Sequence, residues 1–349
     1  VGVDARARLT AGTGPLARRT SDYDEDDVRV RPGRRGSRPR TRRRPAHEDA
    51  SPGFVAAVDR GRYRCLVDPG TGDERDVTAM RARELGRKGV VVGDRVALVG
   101  DVSGAPDTLA RIVRVEPRTS SLRRTADDTD PFERIVVANA DQLVIVTALA
   151  DPEPRPRMID RQLVAGYDAG MDPLLCLTKA DLADAGGLIA EYAPLGVPYV
   201  VTRRGGDLDD LRGHLAGRVS VLVGHSGVGK STLVNALVPD AERAVSHVNA
   251  VTGRGRHTSS SAIALRLPGG DGWIIDTPGV RSFGLAHVGP ENVINAFEDL
   301  AEGAAERCPP HCDHRQENCG LDAWVAEGHA SQARLDSLRR LLKAREDPE

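Results

Sequence analysis

The chain has 349 residues and a formal net charge of −2, length enough for two or three domains. No apolar run reaches membrane-spanning length and no secretory signal is seen, which excludes the bilayer-spanning classes and predicts a cytoplasmic protein. Five cysteines without an export signal argue against a disulfide framework.

The charge is unevenly spread along the chain. Residues 1–51 carry thirteen Arg against eight Asp or Glu, and this net +5 leaves −7 for the remainder. An acidic run, Asp22 to Asp27, precedes an arginine-rich run from Arg31 to Arg44. With almost no apolar residues the stretch cannot bury a core, so 1–51 is expected to be a disordered tail, one that touches RNA phosphates weakly or else an arginine-rich product of coding bias with no specific target.

Residues 52–118 change texture. Short apolar runs at Gly53–Val58, Tyr63–Val67, Gly89–Val99 and Ala110–Val115 alternate with glycine turns. That spacing predicts a small β-barrel, and its length fits an OB-fold, a frequent oligonucleotide binder. Phe54 and Tyr63 are the main candidates for stacking on bases, so either binding rests on arginine and shape or the barrel is purely structural.

Residues 119–284 carry three nucleotide motifs in an inverted order. The run Pro173–Leu177 predicts a buried strand, and Thr178, Lys179, Ala180 and Asp181 stand at its end. A carboxylate there accepts from guanine N1–H and the 2-amino group, neither of which adenine has, so Asp181 selects GTP over ATP. Lys179 would pack its stem over the base, and Thr202 is either a further base contact or a structural turn.

The strand Val219–Val223 then leads into Gly224, His225, Ser226, Gly227, Val228, Gly229, Lys230 and Ser231, with Thr232 opening the helix beyond. This fits G-x-x-x-x-G-K-[ST] between a strand and a helix, the context in which backbone N–H groups cradle phosphates. Lys230 would reach the β- and γ-phosphates and Ser231 would ligate Mg²⁺. Only four of the 49 basic residues are lysine, and two of them, Lys179 and Lys230, fall in these motifs, where arginine is a poor substitute.

Asp276-Thr277-Pro278-Gly279 comes last, after the apolar run Gly272–Ile275. Asp276 would hold the magnesium through water and Gly279 would sense the γ-phosphate. The polar, glycine-rich stretch Thr252–Ser260 reads as a switch, with Thr258 the candidate second magnesium-ligating hydroxyl and Ser259 its alternative. Val280 follows Gly279 and cannot orient water, so His257 is a candidate for that role, or else a contact to a partner or RNA. Slow intrinsic hydrolysis accelerated by a partner is the expectation. The base-reading motif standing before the phosphate loop marks a circular permutation.

Residues 285–349 read as a mostly helical zinc-binding domain. A helix is predicted from Glu291 to Glu306 and an amphipathic one from Ala330 to Arg345. Between them lie Cys308, Cys312, His314 and Cys319, a closed Cys3His set for one structural Zn²⁺, with His311 able to replace a neighbour. Cys65 and Cys176 sit in apolar strands and read as core residues.

Over about residues 53–349 the chain resembles the circularly permuted GTPases of small-ribosomal-subunit biogenesis, the RsgA or YjeQ family. The resemblance is carried by Gly224–Ser231, Gly253–Thr258, Asp276–Gly279, the Cys308–Cys319 set, Asn139–Val146 and Ile159-Asp160-Arg161. It implies an α/β P-loop GTPase core, circularly permuted, preceded by an all-β OB-fold barrel and followed by the zinc domain. It further implies a protein that binds GTP and GDP, the small ribosomal subunit and its rRNA, and leaves on subunit-stimulated hydrolysis; nothing in the sequence points to an obligate dimer, so a monomer is expected. This chain departs from the family at Thr178, where Asn is usual, and at His225, where Gln is usual. Two gaps in the cysteine–histidine motif are also one residue short.

Overall fold

The computed structural model describes residues 47–59, 61–85, 89–125, 133–239, 241, 262–270, 272–277, 285, 288–316 and 319–345. Almost all of the expected arginine-rich tail therefore lies outside the described residues.

Five strands form a closed barrel: β1 (Ser51–Asp59), β2 (Arg62–Val67), β3 (Arg75–Arg81), β4 (Arg95–Gly100) and β5 (Ala110–Val115). They run β1-β2-β3-β5-β4, and β4 pairs back onto β1. All pairings are antiparallel except β3 with β5. Inward positions recur every second residue: Cys65 and Val67, Val77 and Ala79, Val96 and Leu98, Ala110 and Ile112. The sequence reading did not anticipate β3, because only Val77 and Ala79 in it are apolar and inward, between charged and polar neighbours. The expected stacking aromatics are corrected: Tyr63 is buried in the barrel core, and Phe54 packs on Trp273 with ring centroids 5.1 Å apart.

A hairpin follows, β6 (Ser121–Thr125) with β7 (Glu133–Ala138). The central layer is then built in chain order from β8 (Gln142–Ala148), α1 (Pro156–Asp168), β9 (Asp172–Thr178), α2 (Gly186–Tyr192), β10 (Tyr199–Val201), α3 (Asp209–Leu215), β11 (Val219–Val223), α4 (Lys230–Leu237), β12 (Ile263–Arg266) and β13 (Trp273–Asp276). In space the strands run β10-β9-β8-β11-β13-β12, parallel except β12. Every residue of β8 is buried, as expected for a strand covered on both faces. The chain winds outward from β11 in one direction and from β8 in the other. The crevice between these two strands is the switch point, the usual ligand site of open α/β sheets.

Barrel and sheet are continuous, because β12 pairs antiparallel with β1 through Ala57 and Ile263. Arg266 supports the seam, 2.6 Å from Glu74 and stacked over Trp273 at 4.8 Å. Gly93 makes a second joint: at φ +91, a Cβ there would stand 1.9 Å from the Ala138 carbonyl oxygen. Beside it, Asn139 donates to the Gly93 carbonyl at 2.9 Å, and Arg118 forks onto buried Asp94 at 2.7 and 2.8 Å.

The C-terminal part has four described helices, α5 (Pro290–Ile294), α6 (Glu298–Arg307), α7 (Gly320–Ala326) and α8 (Gln332–Ala344). The single helix expected over Glu291–Glu306 is broken before α6, and Phe297 at the break is buried against Tyr167. The final helix is capped by Ser331, whose Oγ accepts from the Arg334 N–H at 3.2 Å. Leu335, Leu338, Leu341 and Leu342 of α8 share one apolar core with Leu163 and Val164 of α1. Arg161 donates to the Ala344 carbonyl at 3.1 Å, and Arg340 meets buried Asp160 at 3.1 Å.

Candidate functional site

The phosphate-loop motif leaves β11 at the carboxyl edge of the sheet. Gly224 has φ +155, and a Cβ there would stand 2.3 Å from the Val146 carbonyl oxygen, so only glycine lets the loop pass β8. Gly229, at φ +94, turns the chain into α4, whose first residue is Lys230. Val228 is buried, whereas Ser226, Gly227, Ser231 and Thr232 are exposed around the helix start. His225 donates its Nδ1 proton to the Ser226 carbonyl at 2.8 Å. The loop thus offers backbone amides and a helix N-terminus to an anion.

The last motif meets the loop from the neighbouring strand. Asp276 ends β13 in register with Leu222 of β11. Lys230 Nζ lies 3.4 Å from Asp276 Oδ1 and donates to the Thr277 carbonyl at 3.1 Å. Thr277 donates its hydroxyl to the Leu222 carbonyl at 2.9 Å, locking the two strand ends together.

The base-reading motif joins from the other side. Thr178 is the buried last residue of β9, and its Oγ1 donates to the Val228 carbonyl at 2.6 Å. Lys179, at φ +59, directs its ammonium to the Asp151 carbonyl across the mouth of β8. Ala180 donates to the Thr202 carbonyl at 3.1 Å, and Asp181 is exposed beyond it. Thr202 is buried, its N–H on the Leu177 carbonyl at 2.7 Å and its hydroxyl 3.4 Å from the same oxygen, which makes it a strand-end brace.

Three motifs scattered over about a hundred residues therefore share one crevice. Their joining partners, the carbonyls of Val228, Asp151 and Thr277, escaped sequence reasoning because a backbone acceptor has no residue-type signature. His257, Thr258, Ser259, Gly279 and Val280 lie outside the described residues.

Cys308, Cys312, His314 and Cys319 form a second cluster, with all four donor atoms within 4.8 Å of one another. Cys319 Sγ stands 3.6 Å from Cys308 Sγ and 3.8 Å from both Cys312 Sγ and His314 Nδ1. Two thiolates about 2.3 Å from one tetrahedral ion stand about 3.8 Å apart, so the spacing fits a shared metal, and it is far too long for a disulfide. The His314 N–H points at Cys312 Sγ at 3.4 Å, and the His314 carbonyl accepts from Arg339 at 3.1 Å. His311 is exposed and outside the cluster.

Comparison with known proteins adds the following. A model of the RsgA GTPase family matches residues 115–286. The small ribosomal subunit biogenesis GTPase RsgA of Pseudomonas aeruginosa (strain LESB58) is 39% identical over 262 residues, 72% of this chain and 75% of its own length. That of Pseudomonas fluorescens (strain SBW25) is 38% identical over 262 residues, 72% and 74% of the two chains. Among solved structures, YjeQ from Thermotoga maritima superposes with a TM-score of 0.62 at 24% identity, covering 84% of this chain and 97% of that one. YloQ, described as a circularly permuted GTPase, gives 0.62 at 21% identity, covering 87% and 98%. At such identities these two speak for the fold.

Proposed function

The chain belongs to the RsgA GTPase family and is a GTP hydrolase, and from that premise we propose that it acts in late maturation of the small ribosomal subunit. It binds that subunit and its rRNA in the GTP state and leaves when the subunit triggers hydrolysis. The names of its relatives support the subunit as partner.

The observation that carries the reading is the contact of Lys230 with Asp276 and Thr277, beside a phosphate loop that Thr178 ties to the base-reading motif. In our reading Gly224–Ser231 and Thr232 hold the phosphates, and Lys230 leaves Asp276 for the β- and γ-phosphates. Asp181 takes the guanine edge, Lys179 covers the base, and Ala180 positions both. Ser231 and Thr258 would ligate Mg²⁺, with Asp276 behind a water; the ion neutralises phosphate charge. Gly279 senses the γ-phosphate, and His257 orients the attacking water.

We assign the Cys308–Cys312–His314–Cys319 cluster to Zn²⁺, since four thiolate and imidazole donors leave no open position. RNA contact falls to the barrel and the arginine-rich tail, which hold phosphates by charge. Among the described residues no helix is long and apolar enough to cross a membrane. A monomer working in the cytoplasm fits the role, arranged as tail (1–51), barrel (52–118), permuted GTPase (119–284) and zinc domain (285–349).

The test is GTP turnover with and without purified small subunits. We expect slow turnover alone and at least about tenfold acceleration by subunits. Fast turnover alone, or equal displacement of GTP by ATP, defeats the reading.

A further inference from the structure

Thr178 opens the motif that the guanine reading assigns to the base, yet its one proton is already committed. The residue is 6% exposed, and its hydroxyl donates to the Val228 carbonyl at 2.6 Å, with the Thr147 carbonyl 3.3 Å away as a second acceptor. A hydroxyl has a single hydrogen; beyond that it can only accept. Asp181 lies three residues further along, exposed past the strand end. A guanine whose N1–H and 2-amino group meet Asp181 turns its opposite edge toward the loop and the end of β9. That edge carries O6 and N7, both acceptors. Facing N7, the Thr178 oxygen would set lone pair against lone pair.

We propose that Thr178 positions the phosphate loop and leaves N7 of the guanine unread; adenine carries the same N7 acceptor, so the choice of guanine over adenine stays with Asp181. This rests on the guanine-nucleotide reading of the site above. An asparagine at 178 would behave differently, because its amide carries two N–H donors. One could hold the Val228 carbonyl while the other reached N7. The chain therefore keeps the brace and drops the base contact. The chemical consequence is tolerance of guanine nucleotides altered at position 7.

The probe is 7-deaza-GTP, in which N7 is replaced by C–H, measured against GTP and ATP by equilibrium binding to the full chain with magnesium. We expect wild type to bind GTP and 7-deaza-GTP within about twofold, since the missing acceptor has no donor. Thr178→Asn should open a preference for GTP of about 2- to 10-fold, the worth of one neutral hydrogen bond. Thr178→Val should weaken GTP, GDP and 7-deaza-GTP alike, and Thr178→Ser should restore them, as a positioning hydroxyl requires. A wild-type loss of more than about twofold for 7-deaza-GTP overturns the proposal, and that arm needs no variant to fold. If wild type binds neither GTP nor 7-deaza-GTP, the guanine site itself falls, which is a separate failure.

Discussion

Lys230 is the cation on which the Thr277 carbonyl and the Asp276 carboxylate converge. Its side chain is 13% exposed and that of Asp276 21%, so the pair sits half out of water, close enough to exchange Asp276 for a phosphate. Lys230→Ala should lower subunit-stimulated GTP turnover by at least about 100-fold, since positioning and charge stabilisation carry most of phosphoryl transfer. It should cost the fold only about 1 kcal/mol, the usual worth of a partly exposed pair. Lys230→Arg should not rescue turnover, because a planar fork cannot replace a compact ammonium in a space bounded by the Thr277 carbonyl. Wild-type turnover in either variant, measured with saturating small subunits, would remove Lys230 from the machinery. The motif residues themselves were legible in the sequence, because each motif is contiguous and its residue types follow from phosphate and guanine chemistry. Their mutual distances were not, since these depend on which strands lie side by side.

At the scale of elements, the sequence was readable wherever an element has a strong apolar period. The barrel strands β1, β2, β4 and β5 and the leucine face of α8 fall in this group. It misled where burial is set by neighbours, as at β3 and at the break before α6, where Phe297 turns inward. The cysteine–histidine segment belongs with the readable elements, because donor atoms are written in residue type, and the four expected ones come within 4.8 Å of one another. Helices α6 and α7 flank it and touch directly: a Cβ on Gly303 would stand 2.6 Å from the Trp324 ring, and Trp324 donates to the Asp299 carbonyl at 2.9 Å. This contact needs no metal, whereas four donor side chains of the Cys308–Cys319 loop converge on one point, with the Arg339 bond to the His314 carbonyl as a brace from α8. One equivalent of zinc per chain is therefore expected. Chelation should lower the melting midpoint by about 5–10 °C, from about 2–3 kcal/mol at 2–4 °C per kcal/mol. Proteolysis should then open the Cys308–Cys319 loop first. Cys319→Ala and His314→Ala should lose the metal, and His311→Ala should keep it; the reverse result would redraw the ligand set.

Across the whole molecule, the long connection runs through α1. Its first turn follows the loop whose Asp151 carbonyl holds Lys179, and its flank carries Asp160 against α8. The Asp160 side chain is 4% exposed. Tyr192 hydroxyl lies 3.1 Å from it, and Arg340 lies 3.1 Å from it with its guanidinium 5.0 Å over the Tyr192 ring. Burial pushes the Asp160 carboxyl up from 3.8 to about 6, with Arg340 and the Tyr192 hydrogen bond opposing. Burial and Asp160 both raise Tyr192, which keeps its phenol protonated and donating. For a carboxyl raised on folding, the folded state binds the proton more tightly than the unfolded chain. Its contribution to stability therefore grows as pH falls through about 6 and levels off below the unfolded value of 3.8. Between pH 7.5 and 5 the gain is about 1.4 kcal/mol, a tenfold change in the folding constant. Asp160→Asn keeps the acceptor for Tyr192 and Arg340 and should erase that increment, so wild type gains about 1.4 kcal/mol on the variant as pH is lowered from 7.5 to 5. Arg340→Met removes the cation facing a buried carboxylate and should cost about 2–3 kcal/mol at pH 7.5, with a steeper recovery on acidification. Chemical denaturation of the three proteins at the two pH values decides the matter. Parallel curves for wild type and Asp160→Asn would mean that Asp160 does not titrate in this joint between the two pH values.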